Sequence, residues 1–333
     1  MRLAILGATS NIAKDLIRSF AGRFELRLFS RRPQEVSVWL TDMAGGHTCR
    51  AFSYDEFAHH EHDAVLNFVG VGDPARAASM GADIFDVTLQ FDQLVLDYIK
   101  TRPACRYIFM SSGAAYGNIF SAPAQAGATA RLSINELKPA DWYGVAKLHA
   151  ECRHRAWADR RIVDVRIFNY FSRHLDCEGR FLIADIIRAI KQGTCLQTQP
   201  GNIVRDYIGA EDFASLIASL LERCEANDVV DCYSRAAVEQ AELAGCHAGR
   251  VRIEVRIRRD GERRQCDRRQ NFLFFRKPAR SRVWVCAQAD FVADADGGNR
   301  SPSRQGRMIF RKPDCAADVL RSGMSLERCA PCW

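Results

Sequence analysis

Two short segments, about thirty residues apart, carry the side chains best suited to moving a proton. Met110-Ser111-Ser112-Gly113-Ala114-Ala115-Tyr116-Gly117 closes an apolar stretch, and Trp142-Tyr143-Gly144-Val145-Ala146-Lys147 opens a stretch with helical spacing. A Tyr and a Lys at i and i+4 share one face of a helix. An ammonium so placed lowers a phenol from its reference pKa near 10, and can also hold a ribose. A phenol tuned toward neutrality works as a general acid or base, with a nearby Ser hydroxyl orienting the reacting oxygen. Ser112, Tyr143 and Lys147 are therefore the candidate catalytic set. Tyr-x-x-x-Lys alone arises often by chance; the paired motif gives it weight.

A phosphate-binding turn precedes them. Gly7-Ala8-Thr9-Ser10-Asn11-Ile12-Ala13 follows a short apolar strand and leads into a helix. Such a unit offers backbone N–H groups and the positive end of a helix dipole to a pyrophosphate, and small residues let the phosphates come close. Gly7, Thr9, Ser10, Asn11 and Ile12 are the candidate contacts; the plain alternative is a strand-to-helix connector. Where an NAD-binding unit places a carboxylate for the ribose 2′-hydroxyl, this chain has Ser30-Arg31-Arg32. An Arg fork suits a 2′-phosphate, so NADP is expected in preference to NAD. Asp55 is a candidate for the adenine edge, and Val69 closes a further strand beside the cofactor.

Strands and helices alternate around these motifs as a doubly wound, Rossmann-type α/β fold requires. Strands are expected at Arg2–Leu6, Glu25–Phe29, Val65–Val69, Arg106–Met110 and Ile162–Phe168. Helices are expected at Asn11–Phe20, Ile84–Lys100 and Tyr143–Ala158. The alternation predicts a parallel sheet with a ligand at the carboxyl ends of its strands.

Taken together, the glycine turn, Ser-Ser-x-x-x-Tyr-Gly, Tyr-x-x-x-Lys and Val204-Arg205-Asp206-Tyr207-Ile208 resemble the extended short-chain dehydrogenase/reductase family, in its NAD(P)-dependent epimerase/dehydratase branch. The likeness covers about residues 1–243. It implies that Ser112, Tyr143 and Lys147 act together while a nicotinamide takes and returns a hydride. It also implies that Asn169, in Arg166-Ile167-Phe168-Asn169-Tyr170, and Arg205 contact the diphosphate of a nucleotide-sugar substrate. Helices equivalent to Ile84–Lys100 and Tyr143–Ala158 often pair across a homodimer in that family. Gly113 and Ala114 stand where its dehydratases carry an acidic pair, which disfavours sugar dehydration. Ser10 and Ala13 replace the family's second and third glycines, and Trp142 replaces a Pro. The expected activity is epimerisation or reduction at a carbon of a nucleotide-activated sugar; the alternative is a non-catalytic NADP-binding regulator on the same fold.

Composition narrows the classes. At 47% hydrophobic and 26% charged residues the chain is of ordinary globular type. No apolar run reaches bilayer length and no leader is evident, so a cytoplasmic protein without membrane contact is expected, with its thirteen cysteines reduced. The net charge of +7 is not spread evenly: residues 246–333 hold 20 Lys+Arg against 10 Asp+Glu, the rest 27 against 30. The basic surplus thus belongs to an Arg- and Cys-rich tail lacking helix or strand grammar, and no nucleic-acid partner is expected. Three regions follow: 1–168 as the dinucleotide-binding domain, 169–243 as a substrate-binding lobe interleaved with the last sheet elements, and 244–333 as an irregular tail, frame-shifted or disordered. His59-His60-Glu61-His62 reads as a solvated loop, Cys329 and Cys332 lack a second pair at zinc spacing, and no metal is expected.

Overall fold

The computed structural model describes residues 1–239, except 73, 118–123, 125–127, 173, 176–178, 180–181, 193, 195, 199–203, 224 and 235–236, and the strands 255–257 and 272–273. In chain order the elements are β1 (Arg2–Leu6), α1 (Asn11–Phe20), β2 (Glu25–Phe29), α2 (Pro33–Thr41), β3 (Cys49–Phe52), β4 (Ala64–Asn67), α3 (Pro74–Met80), α4 (Asp83–Lys100), β5 (Arg106–Ser112), α5 (Pro139–Arg155) and β6 (Ile162–Ile167). They continue with β7 (Tyr170–Phe171), α6 (Leu182–Gln192), β8 (Leu196–Thr198), β9 (Val204–Arg205), β10 (Ile208–Gly209), α7 (Ala210–Arg223) and β11 (Asp228–Cys232), then β12 (Val238–Glu239), β13 (Val255–Ile257) and β14 (Phe272–Leu273).

Seven parallel strands form one sheet in the order β11-β6-β5-β4-β1-β2-β3. The order reverses between β1 and β4, the switch point at which such sheets leave a crevice for a ligand. The central strands are apolar throughout because helices cover both faces: Leu3, Ala4, Ile5 and Leu6 are fully buried, as are Ala64, Val65 and Leu66. Helix α1 buries Leu16, Ile17 and Phe20 and is capped by Ser10, whose hydroxyl accepts from the Ala13 N–H at 3.2 Å. Gly7 is required by geometry: its φ is +77°, and a Cβ there would stand 2.8 Å from the Phe68 carbonyl carbon.

The expected α/β architecture is found. The helix expected from Tyr143 begins earlier, at Pro139, because Pro139 occupies its first turn and the Asp141 carboxylate accepts from the Lys138 N–H at 2.9 Å. The strand expected at Val65–Val69 starts and ends sooner, since the Val69 N–H turns to the Asn67 side chain at 3.0 Å.

The chain divides into two compact units. The first holds Met1–Gly117, Ala130–Ile167 and Phe213–Cys232; the second holds Asn118–Thr129, Phe168–Asp212 and Tyr233–Trp333. In the first, α7 carries its buried Phe213, Ile217 and Leu220 and leads to β11 at the sheet edge. In the second, β7 pairs with β10, β9 with β12 and β14, and β8 with β13. Beyond residue 239, β13 and β14 are the only described segments, so the charge pattern of the tail and its Cys329 and Cys332 lie outside the described residues.

Candidate active site

Three of the expected side chains meet at the carboxyl end of the first unit's sheet. Ser112 ends β5 and opens a short 3-10 turn, Gly113–Tyr116, accepting from the Ala114 N–H at 3.2 Å. Tyr143 stands in the first half of α5, where Ser112 is near enough to draw its phenol pKa down. The influence of Ser112 on the phenol favours the phenolate. Gly144 allows the approach: a Cβ on it would lie 2.4 Å from the Ala114 carbonyl oxygen. Helix α5 therefore rests directly on the backbone of the turn that carries Ser112.

Lys147 lies one helical turn on and is buried, with 4% exposure. Its Nζ donates to the Met110 carbonyl at 2.7 Å and sits 4.4 Å from the centroid of the Phe109 ring. Burial pulls the ammonium down to about 8, against the opposing pull of Asp92, Glu151 and Asp164. The expected lowering of the phenol by this lysine is not found. Burial holds the Tyr143 phenol above its usual range, Ser112 opposes that, and the Lys147 Nζ, 5.9 Å from the ring centroid, donates one N–H to the Met110 carbonyl. The physical reason is burial of the phenol, which disfavours its charged form.

The glycine turn and the catalytic candidates converge on one segment. Gly7 packs on Phe68 and Val69, and Gly70, the next residue, would place a Cβ 3.5 Å from the Lys147 Nζ. Thr9, Ser10 and Ile12 are half-buried and Asn11 is exposed at the N-terminus of α1. Ser10 serves as the helix cap, its hydroxyl oxygen accepting from the Ala13 N–H and keeping its own O–H to donate. Ser30 is buried and accepts from the Arg32 N–H at 3.1 Å. Arg31 and Arg32 are both exposed, and Arg32 pairs with Glu35 at 3.0 Å. Asp55 is exposed in a 3-10 helix, Tyr54–His59.

Some residues were not legible as site residues. Tyr54, half-buried beside Asp55, packs on Phe91 with ring centroids 4.4 Å apart and planes tilted by 58°, and its phenol feels the Gly7 N–H and the charge of Arg31. Asn67 is buried, holds the Val69 N–H and donates to the Tyr107 hydroxyl at 3.0 Å. Glu151, four residues beyond Lys147, was signalled by helical spacing alone.

The two diphosphate candidates both fall in the second unit. Asn169 donates its side-chain amide to the Asp206 carbonyl at 2.8 Å, and the Ile208 N–H donates to the Asn169 carbonyl at 3.0 Å. Arg205, half-buried on β9, donates to the Val204 carbonyl at 3.1 Å. Burial raises the Asp206 carboxyl to about 6, opposed by its bond from the Ser234 N–H at 2.6 Å.

His59, His60, Glu61 and His62 have other engagements. His60 packs on Phe52, Glu61 pairs with Arg2, and buried His62 bonds the Phe57 carbonyl through Nε2 at 3.0 Å. Among the described residues no group of three or more His, Cys, Asp or Glu could hold a metal ion, and no helix is long and apolar enough to cross a membrane.

The sequence pattern of the NAD dependent epimerase/dehydratase family matches residues 3–234. The chain belongs to that family. It is an enzyme of the extended short-chain dehydrogenase/reductase type. No curated protein matches the sequence at significance. Among solved structures, it is similar to a UDP-glucose 4-epimerase from Thermotoga maritima with UDP-glucose, at 16% identity, TM-score 0.63, over 83% of this chain and 90% of that one. The UDP-Glc/GlcNAc 4-epimerase of Campylobacter jejuni gives 15% identity and TM-score 0.65, over 82% and 90%. A dTDP-glucose 4,6-dehydratase from Bacillus anthracis, in complex with NAD, gives 13% and 0.64, over 82% and 87%. At such identities the likeness establishes the fold.

Proposed function

We propose that this family member is an NAD(P)-dependent epimerase or reductase acting on a nucleotide-activated sugar, with Ser112, Tyr143 and Lys147 as its catalytic residues. The observation that carries the reading is the close packing of α5 on the Ser112 turn at Gly144, which sets Tyr143 and the buried Lys147 ammonium beside Ser112 and the Gly7 turn. A bound nicotinamide dinucleotide supplies the hydride acceptor and donor. Tyr143 exchanges a proton with a sugar hydroxyl, Ser112 orients the same oxygen, and Lys147, titrating near 8, supplies positive charge close to neutral pH. The tight Gly7 approach fits a pyrophosphate, because a side chain there would fill the space against Phe68.

Arg31 supports a preference for NADP; Arg32 is exposed as well but pairs with Glu35. Gly113 and Ala114 offer no carboxylate after Ser112, which favours epimerisation or reduction over dehydration. Asn169 and Arg205 are proposed to hold the substrate diphosphate. A homodimer through α4 and α5 fits Leu89, 41% exposed on α4, and sedimentation would show a mass near twice 37.5 kDa.

The test is a panel of UDP-, dTDP-, GDP- and CDP-hexoses incubated with enzyme and NADP or NAD, analysed by chromatography of the sugars and by absorbance of reduced cofactor. Conversion of at least one nucleotide sugar is expected. Tight cofactor binding with no conversion across the panel would overturn the reading and favour a binding role.

A further inference from the structure

One register below Ser112, three side chains of neighbouring strands stand in a row. Ser111 on β5 is the Cα partner of Arg166 on β6, which is the partner of Asp231 on β11. Paired residues of parallel strands project to one face. Here that face meets Glu151 of α5, one helical turn beyond Lys147. Glu151 accepts from Ser111 Oγ at 2.5 Å and from Arg166 Nε at 3.0 Å. Arg166 also donates to the Tyr116 hydroxyl at 2.6 Å, and Tyr116 donates to Asp231 at 2.9 Å. The Arg166 guanidinium lies 3.7 Å from the Asp231 carboxylate and stacks over the Tyr116 ring, 4.4 Å from its centroid.

One guanidinium thus touches two structures that the chemistry needs. Tyr116 ends the turn that begins at Ser112, and Glu151 belongs to the helix that carries Tyr143 and Lys147. We propose that Arg166 is a positioning residue: its fork locks the Ser112 turn to α5 through Tyr116 and Glu151, and its charge cancels that of Glu151 beside Lys147. This rests on the catalytic assignment above, which it deepens.

The groups around Lys147 define what the charge balance does. Its ammonium lies against Met110 and Phe109 of β5, Gly70 after β4 and Tyr143 of α5, and feels the charges of Asp92 of α4, Glu151 of α5 and Asp164 of β6. Asp92 and Asp164 are answered by His154, which bonds both, and by Arg153 and Arg155 respectively. Glu151 is answered by Arg166. Removing the Arg166 charge leaves Glu151 uncompensated and raises the proton affinity of Lys147; removing Glu151 lowers it. A displacement of about half a pH unit or more is expected from a partly buried charge at this range.

The test uses the full chain and needs no substrate: a carbon-13 NMR titration of lysine Cε, with the Lys147 signal assigned by its loss in Lys147→Arg. Arg166→Met is expected to move the Lys147 midpoint up, Glu151→Gln to move it down, and the double variant to return near wild type. The pH profile of kcat/KM is expected to shift in the same directions. Arg166→Lys, keeping charge without the fork, should leave the midpoint in place while kcat falls. An unchanged midpoint, or displacement of both single variants in one direction, would overturn the proposal. Arg166→Lys decides it where Arg166→Met does not fold: wild-type kcat in that variant would overturn the positioning role. Absence of turnover with any sugar, by contrast, speaks against the assigned reaction and leaves the titration readable.

Discussion

Gly144 of α5 lies so close to Ala114 that any side chain there would drive into the Ala114 carbonyl oxygen, 2.4 Å from where its Cβ would be. This contact sets the height of α5 over the turn that carries Ser112, and hence the reach of Tyr143. Gly144→Ala is expected to lift the helix, separate Tyr143 from Ser112 and cut kcat by more than tenfold. Overpacking of this kind costs about 1–3 kcal/mol of stability. Calorimetry and steady-state kinetics on the variant check both effects; unchanged kcat would show that the contact does not set the site.

Gly7→Ala is expected to abolish cofactor binding while the chain still folds, because φ +77° and the Phe68 backbone together exclude a methyl group. Thermal shift with and without NADP reads this directly. Ligand at 100 times its dissociation constant stabilises by about 2.7 kcal/mol, and the variant should lose that increment.

These two predictions rest on unequal amounts of sequence information. The bounds of β1, α1 and β2 follow from apolar spacing, and the glycine turn from its place between strand and helix. Helix α2 was not legible because only Val36 and Leu40 face the core. The Tyr143 and Lys147 pair was readable from helical spacing, but not the capture of the lysine by the Met110 carbonyl. That depends on how α5 settles against β5. The row Ser111, Arg166 and Asp231 arises from strand register across more than a hundred residues of chain, which no local pattern encodes.

Two histidines predict opposite pH limbs in stability. Burial alone would lower His154, yet its bonds to Asp164 at 2.6 Å and Asp92 at 2.7 Å outweigh that and raise it to about 9. The folded chain then holds a proton that the unfolded one releases above about 6.5, so this stabilisation is full below 6.5 and is lost as pH rises through 9. His62 is the reverse. Burial lowers it to about 4, opposed by its bond to Phe57, and its contribution is lost as pH falls from 6.5 toward 4. Urea titrations of His154→Gln should show a flatter alkaline limb, and those of His62→Phe a flatter acid limb. Limbs identical to wild type in both variants would contradict these assignments.

Arg31→Ala is expected to weaken NADP about tenfold, roughly the worth of one charge-assisted contact, and to leave NAD nearly unchanged. Arg32→Ala should do less, since Arg32 is occupied by Glu35. Fluorescence titration with both reduced cofactors separates the cases; equal losses for NADP and NAD would contradict the role given to Arg31.

The central claim is that the Tyr143 phenol, held by Ser112 and flanked by Lys147, moves the proton while hydride is transferred. Single-turnover kinetics of the converted nucleotide sugar, comparing wild type with Tyr143→Phe at matched cofactor occupancy, test it most directly. The expected result is unchanged sugar and cofactor binding with the chemical step slowed at least a hundredfold. A Tyr143→Phe enzyme that turns over at the wild-type rate would contradict the account.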